Sequence, residues 1–201
     1  YLNLIRNFFM RAWVLIYLLG ASPTVCASVV QGNRNHPLKP MGDDNLSYYL
    51  PHANSLRMGD LCYTSNAQAG LNVCYNDLDQ YISTLRHAIL TPHEAYQGFT
   101  LMNNGEPAQL NDALLQIENE YYSPIRPKRV TESGEAPIAA LGRNGIEYIE
   151  VRCVDINPFI PYGIDADTMR LLDLFLMSCL IDDSPLCDEA GQKINEINLQ
   201  R

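Results

Sequence analysis

The sequence predicts an α+β fold, and three observations carry that reading. Residues Gly145 to Phe159, G-I-E-Y-I-E-V-R-C-V-D-I-N-P-F, are rich in strand formers and are punctuated by Gly145 and Pro158, so they predict a central strand. Leu78, Tyr81, Ile82, Leu85 and Ile89 recur at helical spacing over 77–90, with Asn76 as the expected N-cap and Pro92 just past the end. Asn104-Gly105, between Phe99-Thr100-Leu101 and Ala108-Gln109-Leu110, is a hairpin signal that favours a type I′ turn. The 201 residues suffice for one large domain or two small ones.

Composition narrows the function classes. Hydrophobic residues make 47% and charged residues 18%, which argues against extended disorder. A net charge of −9 opposes a non-specific nucleic-acid surface, so any anion site must be local. Six cysteines without a C-x-x-C pair or a histidine at metal spacing predict free thiols of a cytoplasmic protein, and the four histidines are too dispersed to form a ligand set. The chain begins at Tyr1 without an initiator methionine, and the expectation is a piece of a longer protein.

From the amino end, residues 2–19 have a signal-peptide outline, with Arg6 and Arg11 before an apolar run and small residues after it. That run is too short to span a bilayer. A buried helix stopped by a left-handed Gly20, with Pro23 beyond, explains the same residues and is preferred; no membrane association is expected. Residues 31–54 predict a long polar loop. Arg57 and Tyr63 follow as a guanidinium fork and a phenol close in sequence, although an isolated Arg57 would more commonly cap a helix or pair with Asp60. A second strand-like run starts at Leu114; if extended, it puts Gln116, Glu118, Glu120 and Tyr122 on one face. Arg126, Lys128 and Arg129 form a basic cluster stiffened by Pro124 and Pro127, suited to phosphate or to solvent alike. Residues 130–144 predict a polar loop, Asp165 the cap of a buried helix through Leu180, and 182–201 a weakly patterned tail.

In the central strand, alternation puts Tyr148, Glu150 and Arg152 on one face and Ile149, Val151 and Cys153 on the other. One face is core and the other carries charge. Glu150 and Arg152 can pair directly or hold a charged ligand between them.

Several strings together resemble the proteobacterial type of glutamate–cysteine ligase (γ-glutamylcysteine synthetase): G-I-E-Y-I-E-V-R-x-x-D-I-N-P-F from Gly145, L-Q-I-E-N-E-x-Y-x-P-I-R-P-K-R-V from Leu115, G-A-S-P at Gly20, and Y-Y-L-P-x-A-x-S-L-R ending at Arg57. The first string lacks the family's leading Phe, having Leu141-Gly142-Arg143-Asn144 there. The resemblance covers residues 2–183, whereas 184–201 depart from it. It implies a glutamine synthetase-like catalytic fold, a curved antiparallel sheet backed by helices. It also implies ATP-dependent ligation of the γ-carboxyl of L-glutamate to the amino group of L-cysteine through a γ-glutamyl phosphate, the first step toward glutathione. Such chemistry places anionic ATP beside a carboxylate, so it needs Mg²⁺ and arginine. By the resemblance, Glu150 is a Mg²⁺ ligand and Arg152 meets the transferring phosphate or the glutamate carboxylate. Arg57, Tyr63 and Tyr122 hold the cysteine carboxylate, and Arg126, Lys128 and Arg129 lie near the nucleotide. The remaining metal carboxylates would come from elsewhere in a longer chain. The isolated piece is therefore expected to be inactive and to expose apolar sheet surface. The ligase part of a fused glutathione-forming enzyme, a non-catalytic descendant that binds glutamate or nucleotide, and an exported lipoprotein-like chain using Cys26 are the competing readings.

Overall fold

The computed structural model describes residues 1–30, 37–59, 61, 66–68, 70–98, 102–103 and 105–200. In chain order the elements are α1 (Leu2–Leu19), β1 (Thr24–Cys26), α2 (Ala27–Val30), β2 (Lys39–Met41), β3 (Ser47–Tyr49), α3 (Leu78–Leu90), α4 (Glu94–Gln97), β4 (Met102–Asn103) and β5 (Glu106–Pro107). There follow β6 (Ile125–Lys128), α5 (Pro137–Asn144), β7 (Tyr148–Val151), α6 (Ala166–Ile181) and α7 (Glu189–Gln200). The strands form three small antiparallel sheets, β1-β3-β2, β4-β5 and β6-β7, among helices.

Helix α1 is the centre of the core. Leu4, Ile5, Phe8, Ala12 and Leu15 fall on one stripe and are buried, and the helix packs on α6, α7 and β6. The ring of Phe8 meets that of Phe175 edge-on, 5.5 Å between centroids. Two polar residues are buried with them. Arg6 donates to the carbonyl of Tyr75 at 2.8 Å and to Ser184 Oγ and the Pro185 carbonyl at 3.1 Å. Asn7 donates to the carbonyls of Cys179 and Asp182, which closes the carboxyl end of α6. Alone among the described residues, α1 is long and apolar enough to cross a membrane; here its apolar stripe is core.

Gly20 does end α1, but not as a left-handed stop: its φ is −66° and its ψ 127°. Glycine is required by close approach instead, since a Cβ there would lie 2.5 Å from the Ile16 carbonyl oxygen and 2.8 Å from Asn54 Cβ. Gly20→Ala is therefore expected to destabilise the fold by about 1–3 kcal/mol through overpacking. Urea unfolding measures it, and an unchanged midpoint would mean that the 54–56 segment yields freely.

Several boundaries differ from the sequence reading. Asp77, not Asn76, caps α3, accepting from the N–H groups of Asp79 and Gln80. The Asn76 side chain instead exchanges two hydrogen bonds with the backbone of Cys187 and anchors the carboxyl-terminal segment. The expected loop at 130–144 contains α5, opened by Pro137, burying Ile138, Ala140 and Leu141, and ended by Gly145 at φ +73°. The expected polar tail holds α7. The run from Leu114 is strand only over β6, because residues 118–120 form a 3₁₀ turn. Their carboxylates point to different donors: Glu120 accepts from the Gln116 N–H, and Glu118 from the Ile138 N–H at the start of α5. The polar loop at 31–54 carries β2 and β3, with residues 31–36 outside the described set. The β4–β5 hairpin turns through Gly105 at φ +85°; Asn104 and residues 99–101 are outside that set.

The central strand is also shorter than expected. Beyond Val151 one more ladder bond forms, from the Arg152 N–H to the Pro124 carbonyl, and then β6 offers no further partner. Helix α6 is capped by Asp165 as expected, but it is not buried all round: Leu174, Met177 and Ile181 are exposed, and within α6 only Cys179 is fully enclosed. Exposed apolar side chains lie on α6, on the outer side of α1 at Trp13 and Tyr17, on the strands at Met41, Met102 and Tyr148, and in the loop after β7 at Ile156, Phe159 and Tyr162.

Candidate active site

The β6–β7 pair builds the site by its two faces. Ile125 lies opposite Val151 and Pro127 opposite Ile149, and this face enters the core beneath α1, with Ile125 and Pro127 fully buried. Parity then sends Arg126 and Lys128, with their partners Glu150 and Tyr148, to the other face. Arg126 and Glu150 are direct cross-strand neighbours, a spacing that puts their Cβ atoms about 5 Å apart. The alternation read from the sequence, with Glu150 away from the core and Cys153 within it, is the alternation observed.

Arg126 is the unusual member. It is 5% exposed, donates to the Asn119 carbonyl at 3.0 Å, and has its buried Nε without a hydrogen-bond partner among the described residues. Burial lowers its pKa, the nearby charge of Arg152 lowers it further, and Glu150 acts in the opposite sense. Among the described residues, two guanidiniums and one carboxylate therefore act on one another in a small patch. Such a patch favours an anion bearing several oxygens.

Arg152 follows β7, and its carbonyl accepts from Arg57 Nη2 at 3.0 Å. Arg57 Nη1 pairs with Asp155 Oδ1 at 3.2 Å, across 98 positions of sequence. Asp60 and Tyr63 lie outside the described residues. Tyr122 sits between the 3₁₀ turn and β6, half-exposed, its N–H held by Gln68 Oε1. Lys128 ends β6 on the same face as Arg126. Arg129 turns elsewhere, donating to the Gly145 carbonyl and pairing with Glu147 at 3.6 Å, which braces the turn into β7. The structure thus gathers Arg57, Arg126, Glu150 and Arg152, and directs Arg129 away from them.

Asp155 was not singled out from the sequence, yet it is the hub of this region. It is 7% exposed; its Oδ2 accepts from Ser22 Oγ at 2.6 Å and from the Ala21 N–H at 3.0 Å. Burial works against its ionisation, but the hydrogen bonds from Ser22, Ala21 and Ser55 and the charge of Arg57 outweigh it, and the pKa falls below the ordinary 3.8. The available signal was its place in D-I-N-P-F, three residues after Arg152 in the same string. Cys153, two residues earlier, is enclosed, and burial pushes its thiol up to about 12, which makes it a poor nucleophile at neutral pH. Among the described residues no three or more His, Cys, Asp or Glu side chains gather to hold a metal.

Residues 1–201 match the glutamate-cysteine ligase family along their whole length, so the match extends through 184–201, where the sequence strings predict a departure. The chain belongs to the glutamate–cysteine ligase family. It is 52% identical to glutamate–cysteine ligase of Janthinobacterium sp. (strain Marseille) over all 201 residues, which are 38% of that protein. It is 54% identical to that of Pseudomonas paraeruginosa (strain DSM 24068 / PA7) over 92% of this chain and 35% of the relative. The chain therefore spans little more than a third of the length of these ligases. A crystal structure of the Francisella tularensis ligase in complex with AMP superposes on the whole chain with a TM-score of 0.89 at 38% identity, over 39% of that structure. A bifunctional glutathione synthetase from Pasteurella multocida shares the fold, with a TM-score of 0.64 at 22% identity. The α+β arrangement of small antiparallel sheets among helices is thus a ligase-family fold.

Proposed function

We propose that this chain supplies one wall of the active site of an ATP-dependent, cytoplasmic ligase that joins the γ-carboxyl of L-glutamate to the amino group of L-cysteine, the first step toward glutathione. The observation that carries the reading is Glu150 registered opposite a buried Arg126, with Arg152 beside both, in a chain that matches the ligase family from end to end. A carboxylate becomes an acceptor for an amine only after activation, here as a γ-glutamyl phosphate, and the charge gathered on the transferring phosphoryl group has to be offset. Arg152 and Arg126 are placed to do so from the polar face of the sheet. Lys128 extends that face toward the nucleotide, and Arg57, Tyr63 and Tyr122 grip the cysteine carboxylate through a fork and two phenols. Arg129, held at Gly145 and Glu147, supports the wall from behind.

The donor set fits Mg²⁺ in part. Glu150 offers one hard oxygen ligand on this face, and the others would be phosphate oxygens and carboxylates from parts of the ligase beyond these residues. The ion, when bound, supplies positive charge to the phosphates. The AMP complex of the Francisella ligase supports a nucleotide site in this fold.

The test is ADP release by the protein expressed from its complete reading frame, with ATP, Mg²⁺ and glutamate, with and without cysteine. Cysteine-dependent release is expected. A folded protein that releases no ADP would replace this reading with that of a non-catalytic binder.

A further inference from the structure

We propose that Asp155 is a positioning residue that sets the affinity for the amino-acid substrate gripped by Arg57; the proposal rests on the ligase reading above. Three stretches far apart in sequence meet at its carboxylate. Ala21 and Ser22 bind Oδ2, Ser22 Oγ also touches Ser55 Oγ at 3.1 Å, and the Leu56 N–H donates to the Ser22 carbonyl at 2.8 Å, which fixes the segment that carries Arg57. Oδ1 takes Arg57 Nη1, while Nη2 of the same guanidinium donates to the Arg152 carbonyl. The guanidinium is thus bridged between a buried carboxylate and the backbone at the end of β7, next to Glu150. Its side chain is 32% exposed against 3% for Asp155, so the carboxylate stands behind the arginine and aims it outward.

The two oxygens have different duties, and an amide separates them. In Asp155→Asn the Ala21 N–H, which can only donate, holds the amide oxygen on its side, and this turns the NH₂ toward Arg57, donor against donor. The segment stays anchored while the guanidinium loses the charge of Asp155. A residue serving stability alone would lower the amount of active enzyme and leave its Michaelis constants in place.

The experiment compares the protein from its complete reading frame with its Asp155→Asn, Ser22→Ala and Arg57→Gln variants and the Asp155→Asn/Arg57→Gln double variant, reading KM for cysteine and for ATP. Asp155→Asn is expected to raise KM for cysteine about tenfold, the equivalent of one charge-assisted hydrogen bond, with KM for ATP within about twofold. In the Arg57→Gln background the same change is expected to add nothing, since Asp155 acts through Arg57. Ser22→Ala, which keeps the ion pair, is expected to raise KM for cysteine by about two- to threefold, and it decides the matter if Asp155→Asn does not fold. An unchanged KM for cysteine in Asp155→Asn, or in Ser22→Ala if it alone folds, would overturn the proposal, as would an equal rise in both constants. Absence of cysteine-dependent turnover in the unmodified protein would instead overturn the ligase reading, and this proposal with it.

Discussion

Glu150→Gln is expected to lower cysteine-dependent ADP formation by about 10²–10³-fold, the scale on which a preorganised electrostatic group acts in a transition state. Glutamine keeps the size of the side chain and one neutral oxygen, but it removes the only anionic oxygens that β7 presents beside Arg126 and Arg152. Two consequences follow from that position. The substitution removes the hard oxygen proposed as a Mg²⁺ ligand, so the Mg²⁺ concentration for half-maximal activity should rise. The remaining patch becomes more positive, because Glu150 is a charge that favours ionised Arg126. The fold should be little affected, since Glu150 is half-buried and faces away from the core. Steady-state ADP release and a urea unfolding curve separate these effects. Turnover that survives the substitution would leave the enzyme standing and remove Glu150 from its site.

Phe8→Ala should produce the largest loss of stability, about 3–5 kcal/mol, because a fully buried aromatic ring is deleted where α1 and α6 meet. The ring touches Phe175 edge-on, so the partner loses its contact as well. Trp13→Ala, on the exposed side of the same helix, should cost within about 0.5 kcal/mol. Urea midpoints of the two variants measure the difference. Equal costs would mean that α1 is not a core helix and would revive the signal-peptide reading of residues 2–19.

Much of this was legible because two periodicities are strict. The stripe of α3 and the alternation at 148–153 were readable without any partner, since helix and strand geometry alone decide which residues share a face. What was missed depends on partners. Strand length at β7 is set by where β6 ends, and nothing in Val154 or Ile156 reports that. Asn76 and Asp77 are both good caps, and only the docking of Cys187 assigns one to each task. Helix α5 could have been read from Pro137, Ile138, Leu141 and Gly145, but Gly142 suggested a loop; in the structure Gly142 lies within the helix, facing Ile82. Arg126, Lys128 and Arg129 read as one cluster, and strand parity divides them.

Asp155 also has a consequence for the order in which the molecule comes into being. It follows Ser22 by 133 residues and Arg57 by 98. During synthesis from the amino end, α1 and the Arg57 segment leave the ribosome well before the carboxylate that will hold them, and α6, which covers Phe8, comes later still. The ion pair between Arg57 and Asp155 forms only as that long loop closes. A nascent chain that ends before residue 155 therefore lacks the carboxylate that holds Arg57 against the end of β7.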